Sequence, residues 1–134
     1  MRGFHAGFAA LAALLTIGAI GLGKASAHTI HFKSNVSIRV CCASDGLWDF
    51  GGEVTSVKAR CEPRRTVKLF RKRSGTDELM GRDETDSEGA WHVEPNPSPA
   101  GTYYARVKRK DIGPPGHDHI CDGDRSPDLT VPAP

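Results

Sequence analysis

Beyond residue 27 the chain has no apolar run near the ~20 residues that a membrane-spanning helix needs. It has no internal repeat, no low-complexity tail and no stretch with the 3.6-residue apolar period of a helix. It has little charge of one sign in excess, with 18 Lys+Arg against 16 Asp+Glu. With 134 residues there is room for one domain at most. These absences exclude a polytopic membrane protein and a multidomain enzyme, and they argue against a helical bundle. What the chain does have is 15 Gly and 9 Pro, a content usual for a loop-rich β protein.

The apolar residues are concentrated at the start. Met1-Arg2 opens a short positive region, Phe8 to Leu22 is apolar or small, and Ala25-Ser26-Ala27 follows. That order reads as a secretory signal peptide over residues 1–27, with an A-x-A cleavage site. No cysteine of the lipoprotein kind follows it, so the reading is a free secreted protein. Residues 28–134 remain as a single domain, extracellular, or periplasmic if the host has an outer membrane. Arg2 and Lys24 leave with the signal, so 16 Lys+Arg face 16 Asp+Glu. A chain that strongly seeks polyanions, nucleic acid among them, should look more basic than this. Cys41, Cys42, Cys61 and Cys121 all survive processing, and export makes disulfides the expected state. Four cysteines allow three connectivities.

From residue 29 onward apolar positions recur with period two. Val36, Ile38 and Val40 mark a first strand over about 35–42. Residues 43–49 read as a loop around an Asp45-Gly46 turn. Strands are expected over 50–57, 66–71, 78–83, 90–94, 101–110 and 128–131. Thr85 to Gly89 has the chemistry of a tight turn. Pro95, Pro97 and Pro99 bar 95–101 from an interior strand. Residues 111–127 read as a long loop. About seven short strands with regular turn signals make an all-β sandwich.

One run of residues carries a family resemblance. Val67-x-Leu69-x-Arg71 is followed by Thr85-Asp86-x-x-Gly89-x-Trp91, then Gly101-x-Tyr103-Tyr104-Ala105-x-Val107. With Phe50-x-Gly52-x-Val54, Cys61 and Cys121, this resembles secreted prealbumin-like (transthyretin-like, carboxypeptidase regulatory-like) β-sandwiches over about residues 50–131. The resemblance implies an Ig-like or prealbumin-like sandwich and a Cys61–Cys121 bridge. It implies little about function, because such sandwiches serve as spacers, binders and accessory domains. Cys41-Cys42 departs from the pattern: neighbours on a strand point to opposite faces, and a bond between them needs a strained ring.

Four kinds of chemistry can be weighed. His28 would be the mature N-terminus, and an amine with an imidazole suits Cu(II). His31, His117 and His119 are further donors. The competing reading is a signal boundary that happens to precede His, with loop histidines in solvent; it is preferred here, and no cofactor is assigned. Calcium would want several oxygens in a loop, and neither 83–89 nor 117–124 matches an EF-hand.

A basic face is the third. Arg60, Arg64, Arg65, Lys68, Arg71, Lys72 and Arg73 cluster around one strand, and Arg106, Lys108, Arg109 and Lys110 lie on another. Lys68, Arg71, Arg106 and Lys108 are the named candidates, suited to an acidic polysaccharide or anionic cell surface. The competing reading, a solvated face with carboxylates close by, is the one the balanced charge favours. Hydrolytic catalysis is the fourth, and no serine sits in a G-x-S-x-G elbow. Asn35-Val36-Ser37 matches a glycosylation sequon. The sequence therefore reads as a non-catalytic secreted sandwich that binds an extracellular protein or glycan or supports a surface. A small copper-binding protein using His28 is the alternative.

Overall fold

The computed structural model describes residues 27–133, without the side chains of residues 42–44. The signal-peptide reading, except for Ala27, and the pairing of Cys42 lie outside the described residues.

The described residues are all β apart from one 3-10 turn, η1 (Ala59–Cys61). The strands are β1 (Thr29–Phe32), β2 (Ser34–Val36), β3 (Arg39–Ser44), β4 (Leu47–Ser56), β5 (Thr66–Arg71) and β6 (Glu78–Glu84). They continue with β7 (Ala90–Val93), β8 (Gly101–Val107), β9 (Lys110–Asp111), β10 (Asp118–Cys121), β11 (Asp124–Arg125) and β12 (Leu129–Val131). In one sheet β4 pairs with β2, β3 and β7. In the second the order is β11-β8-β5-β6, with β12 also on β8. Counting β2 with β3, and β11 with β12, as interrupted strands leaves the seven strands of the expected sandwich.

Period-two patterning explains the packing. Val67 and Leu69 on β5, and Tyr103, Ala105 and Val107 on β8, turn inward and are buried. They meet Phe50 and Val54 of β4 and Trp91 and Val93 of β7. Phe50 and Tyr103 touch across the sandwich with ring centroids 4.5 Å apart. The Trp91 indole donates to the Ser37 carbonyl at 3.2 Å, giving a buried polar edge its partner. Close approach at this point requires Gly52. A Cβ there would lie 2.1 Å from the Ser37 carbonyl oxygen and 2.8 Å from the indole nitrogen. Because the first obstacle is backbone, Gly52→Ala is expected to destabilise by about 1–3 kcal/mol in chemical denaturation. An unchanged midpoint would contradict this packing.

Several expected boundaries move. The expected first strand breaks after Val36, and the supposed loop 43–49 is instead a tight hairpin. Asp45 (φ 54°) and Gly46 (φ 78°) supply the two positive angles that such a turn demands. The strand expected to reach residue 110 ends at Val107. The long loop 111–127 contains β10 and β11, and β9 opens it. In the Thr85–Gly89 turn Asp86 accepts from the Glu88 and Ala90 amides. Thr85 turns inward and bonds Arg65 and Glu62 instead.

A third, small sheet closes one end. β1 runs parallel to β10, which pairs antiparallel with β9. The Cys61–Cys121 disulfide ties β10 to η1, with Cα atoms 5.4 Å apart. Closing 60 residues contributes about 4 kcal/mol in the chain-entropy account.

Arg65 sits at the same corner and is fully buried. Its guanidinium donates to Ser34 Oγ (2.9 Å), the Cys61 carbonyl (2.6 Å), the Lys108 carbonyl (2.7 Å) and the Asp122 carbonyl (2.9 Å). One side chain thereby fastens β2, η1 and the residues that directly follow β8 and β10. Burial lowers its pKa, and the charge of Asp122 opposes that shift. Arg65 is thus a correction to the surface cluster read from sequence: it belongs to the interior.

Candidate functional site

The outer face of the second sheet is where the predicted basic residues gather. The outward positions of β5 are Thr66, Lys68 and Phe70, alternating with buried Val67 and Leu69. Lys68 stands opposite Arg82 of β6 on one side and Arg106 of β8 on the other. Arg106 in turn stands opposite Arg125 of β11. Arg82, Lys68, Arg106 and Arg125 therefore form one rank of cations across four strands. Like charges directly opposite on a sheet cost up to about 1 kcal/mol per pair.

The carboxylates that would relieve this rank are elsewhere. Among the described residues, no ion pair within 4 Å involves Lys68, Arg82, Arg106, Lys108 or Arg109. Arg125 alone of the rank is paired, to Asp128 at 2.7 Å. Asp124, which borders the face, turns its carboxylate to the Val36 amide at 2.8 Å. Glu84 lies one rank away, opposite Thr66. The balanced total charge thus conceals a segregated one.

The next rank is apolar. Phe70 lies between Leu79 and Tyr104, made neighbours by a bulge in β6. The Phe70 and Tyr104 rings stack at 5.4 Å, and the Arg125 guanidinium covers Tyr104 at 3.8 Å. Leu79 is 52% exposed. Beside this strip lies an open cleft of about 570 Å³ lined by Lys68, Phe70, Arg106, Lys108, Arg109 and Arg125 among others.

Tyr104 is held by its hydroxyl, which donates to Asp77 Oδ2 at 2.7 Å. That bond, with one from the Arg73 amide, holds the Asp77 carboxyl below the usual carboxylate range. Burial, then Asp77 itself, pushes the Tyr104 phenol up. Asp128 is likewise depressed by its bonds from Lys72 and Arg125. For a group whose folded pKa is lowered, the stabilisation is present above the unfolded pKa. It fades as pH falls through the lower, folded value. The Asp77 clamp on Tyr104 is therefore at full strength at neutral pH and weakens as pH falls below the usual carboxylate range. In Tyr104→Phe the Asp77 carboxyl is expected to titrate closer to its ordinary range in a carbon-13 NMR titration. A carboxyl that titrates where it does in the parent would contradict the assigned bond.

The other predicted residues separate. Arg71 has the inward parity of Leu69, opposite Tyr103, and bends to the Ala100 carbonyl at 2.8 Å. It leaves the basic face. Lys72 and Arg73 pair with Asp128 and Glu78 at the far end of the sheet. Arg60, Arg64 and Lys110 border a different depression, of about 920 Å³, which Glu84, Asp86 and Asp111 also line. Arg82 and Arg125 were not signalled as members by any local cluster. Only the cross-strand register recruits them.

The four candidate histidines also divide. His31 pairs its Nδ1 with Asp122 Oδ1 at 2.7 Å. His28 lies against His117, with ring centroids 4.9 Å apart, and is 6.4 Å from His119. Among the described residues no group of three His, Cys, Asp or Glu is arranged, as it stands, to hold a metal ion. No described helix is long and apolar enough to cross a membrane. Comparison with known family models, curated proteins and solved structures finds no match for this chain.

Proposed function

We propose that this protein is a secreted, non-catalytic sandwich of the prealbumin-like kind that binds an acidic glycan on the outer face of its second sheet. The observation that carries the reading is the rank of Arg82, Lys68, Arg106 and Arg125, in which Arg125 alone has a carboxylate partner. A face that repels itself is stabilised by a ligand bearing carboxylates or sulfates. Two structural details favour sugar over a plain polyanion. The Leu79–Phe70–Tyr104 strip runs directly beside the cations, and apolar rings suit the faces of pyranoses. The cleft is open, which suits a chain that passes across it. The disulfide fits an oxidising compartment.

The test is retention on immobilised heparin, as a sulfated probe, and on polygalacturonate, as a carboxylated one. Retention on at least one is expected, weakening steeply between about 0.05 and 0.3 M salt. Passage through both at low salt would contradict the reading. Retention that does not respond to salt would point instead to a protein-like, apolar contact.

A further inference from the structure

We infer that the acidic glycan of the basic face is a polyuronate, bound across the strands with three consecutive sugars over Arg82, Lys68 and Arg106. The inference rests on the binding role proposed for that face and specifies its ligand. Cross-strand register produces the row. Arg82 on β6 stands opposite Lys68 on β5, and Lys68 stands opposite Arg106 on β8. Each strand thus contributes one cation, and among the described residues none of the three has a carboxylate within 4 Å. Arg125, next in the row, is already engaged. It donates to Asp128 at 2.7 Å and to the Ser126 carbonyl at 3.2 Å, and it lies over Tyr104. The part of the row open to a ligand is therefore the Arg82, Lys68 and Arg106 stretch.

The spacing suits one charge per sugar. Neighbouring strands lie about 4.8 Å apart, so cations on three adjacent strands span about 10 Å. A 1,4-linked pyranose advances its chain by close to one strand spacing. A chain with a carboxylate on every sugar presents its charges at the interval of the row. Successive carboxylates turn to different sides of such a chain, and the long arms of Arg and Lys follow them. The planar forks of Arg82 and Arg106 also match carboxylates bidentately. A chain charged on alternate sugars would leave a cation of the row unanswered. A densely sulfated chain would set surplus anions over a row that has no cation for them.

The flanks direct the chain along the row and not along a strand. On one side Leu79, Phe70 and Tyr104 stand next to one another on the same three strands. Phe70 stacks on Tyr104 with 17° between the rings, so these side chains form an apolar border parallel to the row. On the other side Glu84 stands opposite Thr66, and an anionic chain turning along β6 would meet that carboxylate. At the β8 end the open cleft continues past Lys108 and Arg109, whose charges draw an approaching polyanion toward the row.

The experiment is a calorimetric titration of the disulfide-intact protein at low salt with galacturonate oligomers of increasing length, from the monomer to the pentamer. Affinity is expected to rise about three- to fivefold with each sugar up to the trimer, the upper worth of one exposed ion pair. The tetramer and pentamer should each add less than about twofold. Arg82→Gln should weaken the trimer about threefold or more and cost the dimer less, because the dimer can sit over Lys68 and Arg106. Arg39→Gln, on β3 of the other sheet, should bind as the parent does. Equal affinity of dimer and trimer would overturn the footprint, as would an undiminished gain through the pentamer or equal losses of dimer and trimer in Arg82→Gln. A hyaluronan hexasaccharide carries carboxylates on alternate sugars and should bind more weakly than the trimer; binding as tight would overturn the spacing. Retention on heparin with no affinity for any galacturonate oligomer would overturn the polyuronate and leave the acidic-glycan reading standing. Absence of both would remove the two together.

Discussion

Arg65→Met is expected to cost about 3–5 kcal/mol in guanidinium denaturation with the disulfide intact. The guanidinium is fully buried and satisfies three backbone carbonyls and one hydroxyl. Methionine fills much of the volume and answers none of those acceptors. Each buried acceptor left alone costs about 1–3 kcal/mol, moderated by relaxation or an entering water. Lysine would not restore the corner, since one ammonium cannot reach acceptors on four segments with a planar fork. Arg65→Lys is therefore expected to remain well below the parent. A loss under about 1 kcal/mol for the methionine variant would mean that the corner is held by the disulfide alone. Because Arg65 bonds the Lys108 carbonyl, its removal should also loosen the strand end from which Lys108 and Arg109 project.

The second large effect has two opposed parts. Arg106 stands between Lys68 and Arg125, so Arg106→Glu turns two cross-strand repulsions into attractions. Stability is expected to rise by about 0.5–1 kcal/mol. Retention of an acidic glycan should fall at least tenfold at low salt, since one reversal in the middle of the rank removes a contact and adds a repulsion. An exposed arginine kept at a cost to the fold is the signature of a site. A charge held for solubility would show neither the gain in stability nor the loss in binding. If binding falls but stability also falls, the rank is structurally supported, and the argument from unrelieved repulsion fails.

Much of the sandwich is legible in the sequence where burial alternates. Val67 and Leu69, and Tyr103, Ala105 and Val107, announce their inward face by period two. The same pattern places Lys68 and Arg106 outward. What a single strand cannot announce is its neighbour. Arg82 stands alone among Gly81 and Asp83, and Arg125 sits in a loop-like run with Asp124 and Ser126. Register with β5 and β8 alone makes them part of the rank. Arg65 misleads for the converse reason. Beside Arg64 it looks like a surface charge run, and only tertiary acceptors distinguish the buried member from the exposed one. Strands β9 and β11 are two residues each, and their extended form comes from pairing rather than from propensity. The Asp45-Gly46 turn was visible, but the strands flanking it read as loop because Ser44 and Asp49 carry little apolar signal.

The histidines teach a similar lesson. His117-x-His119 shows a shared side within one strand. Its meeting with His28 depends on a parallel pairing between strands that are 85 or more residues apart, which no local pattern encodes. The disulfide, implied by resemblance, lies between the two cysteines named for it.

The most direct test of the central claim is a nitrogen-15 NMR titration with a short heparin-derived oligosaccharide at low salt. Amide shifts are expected on Lys68–Phe70, Tyr104–Arg109 and Arg125, and on Arg82 at the sheet edge. Residues on the outer face of the first sheet, such as Asp49 and His92, should stay still. Shifts confined to that opposite face, or no shifts at millimolar ligand, would contradict the account.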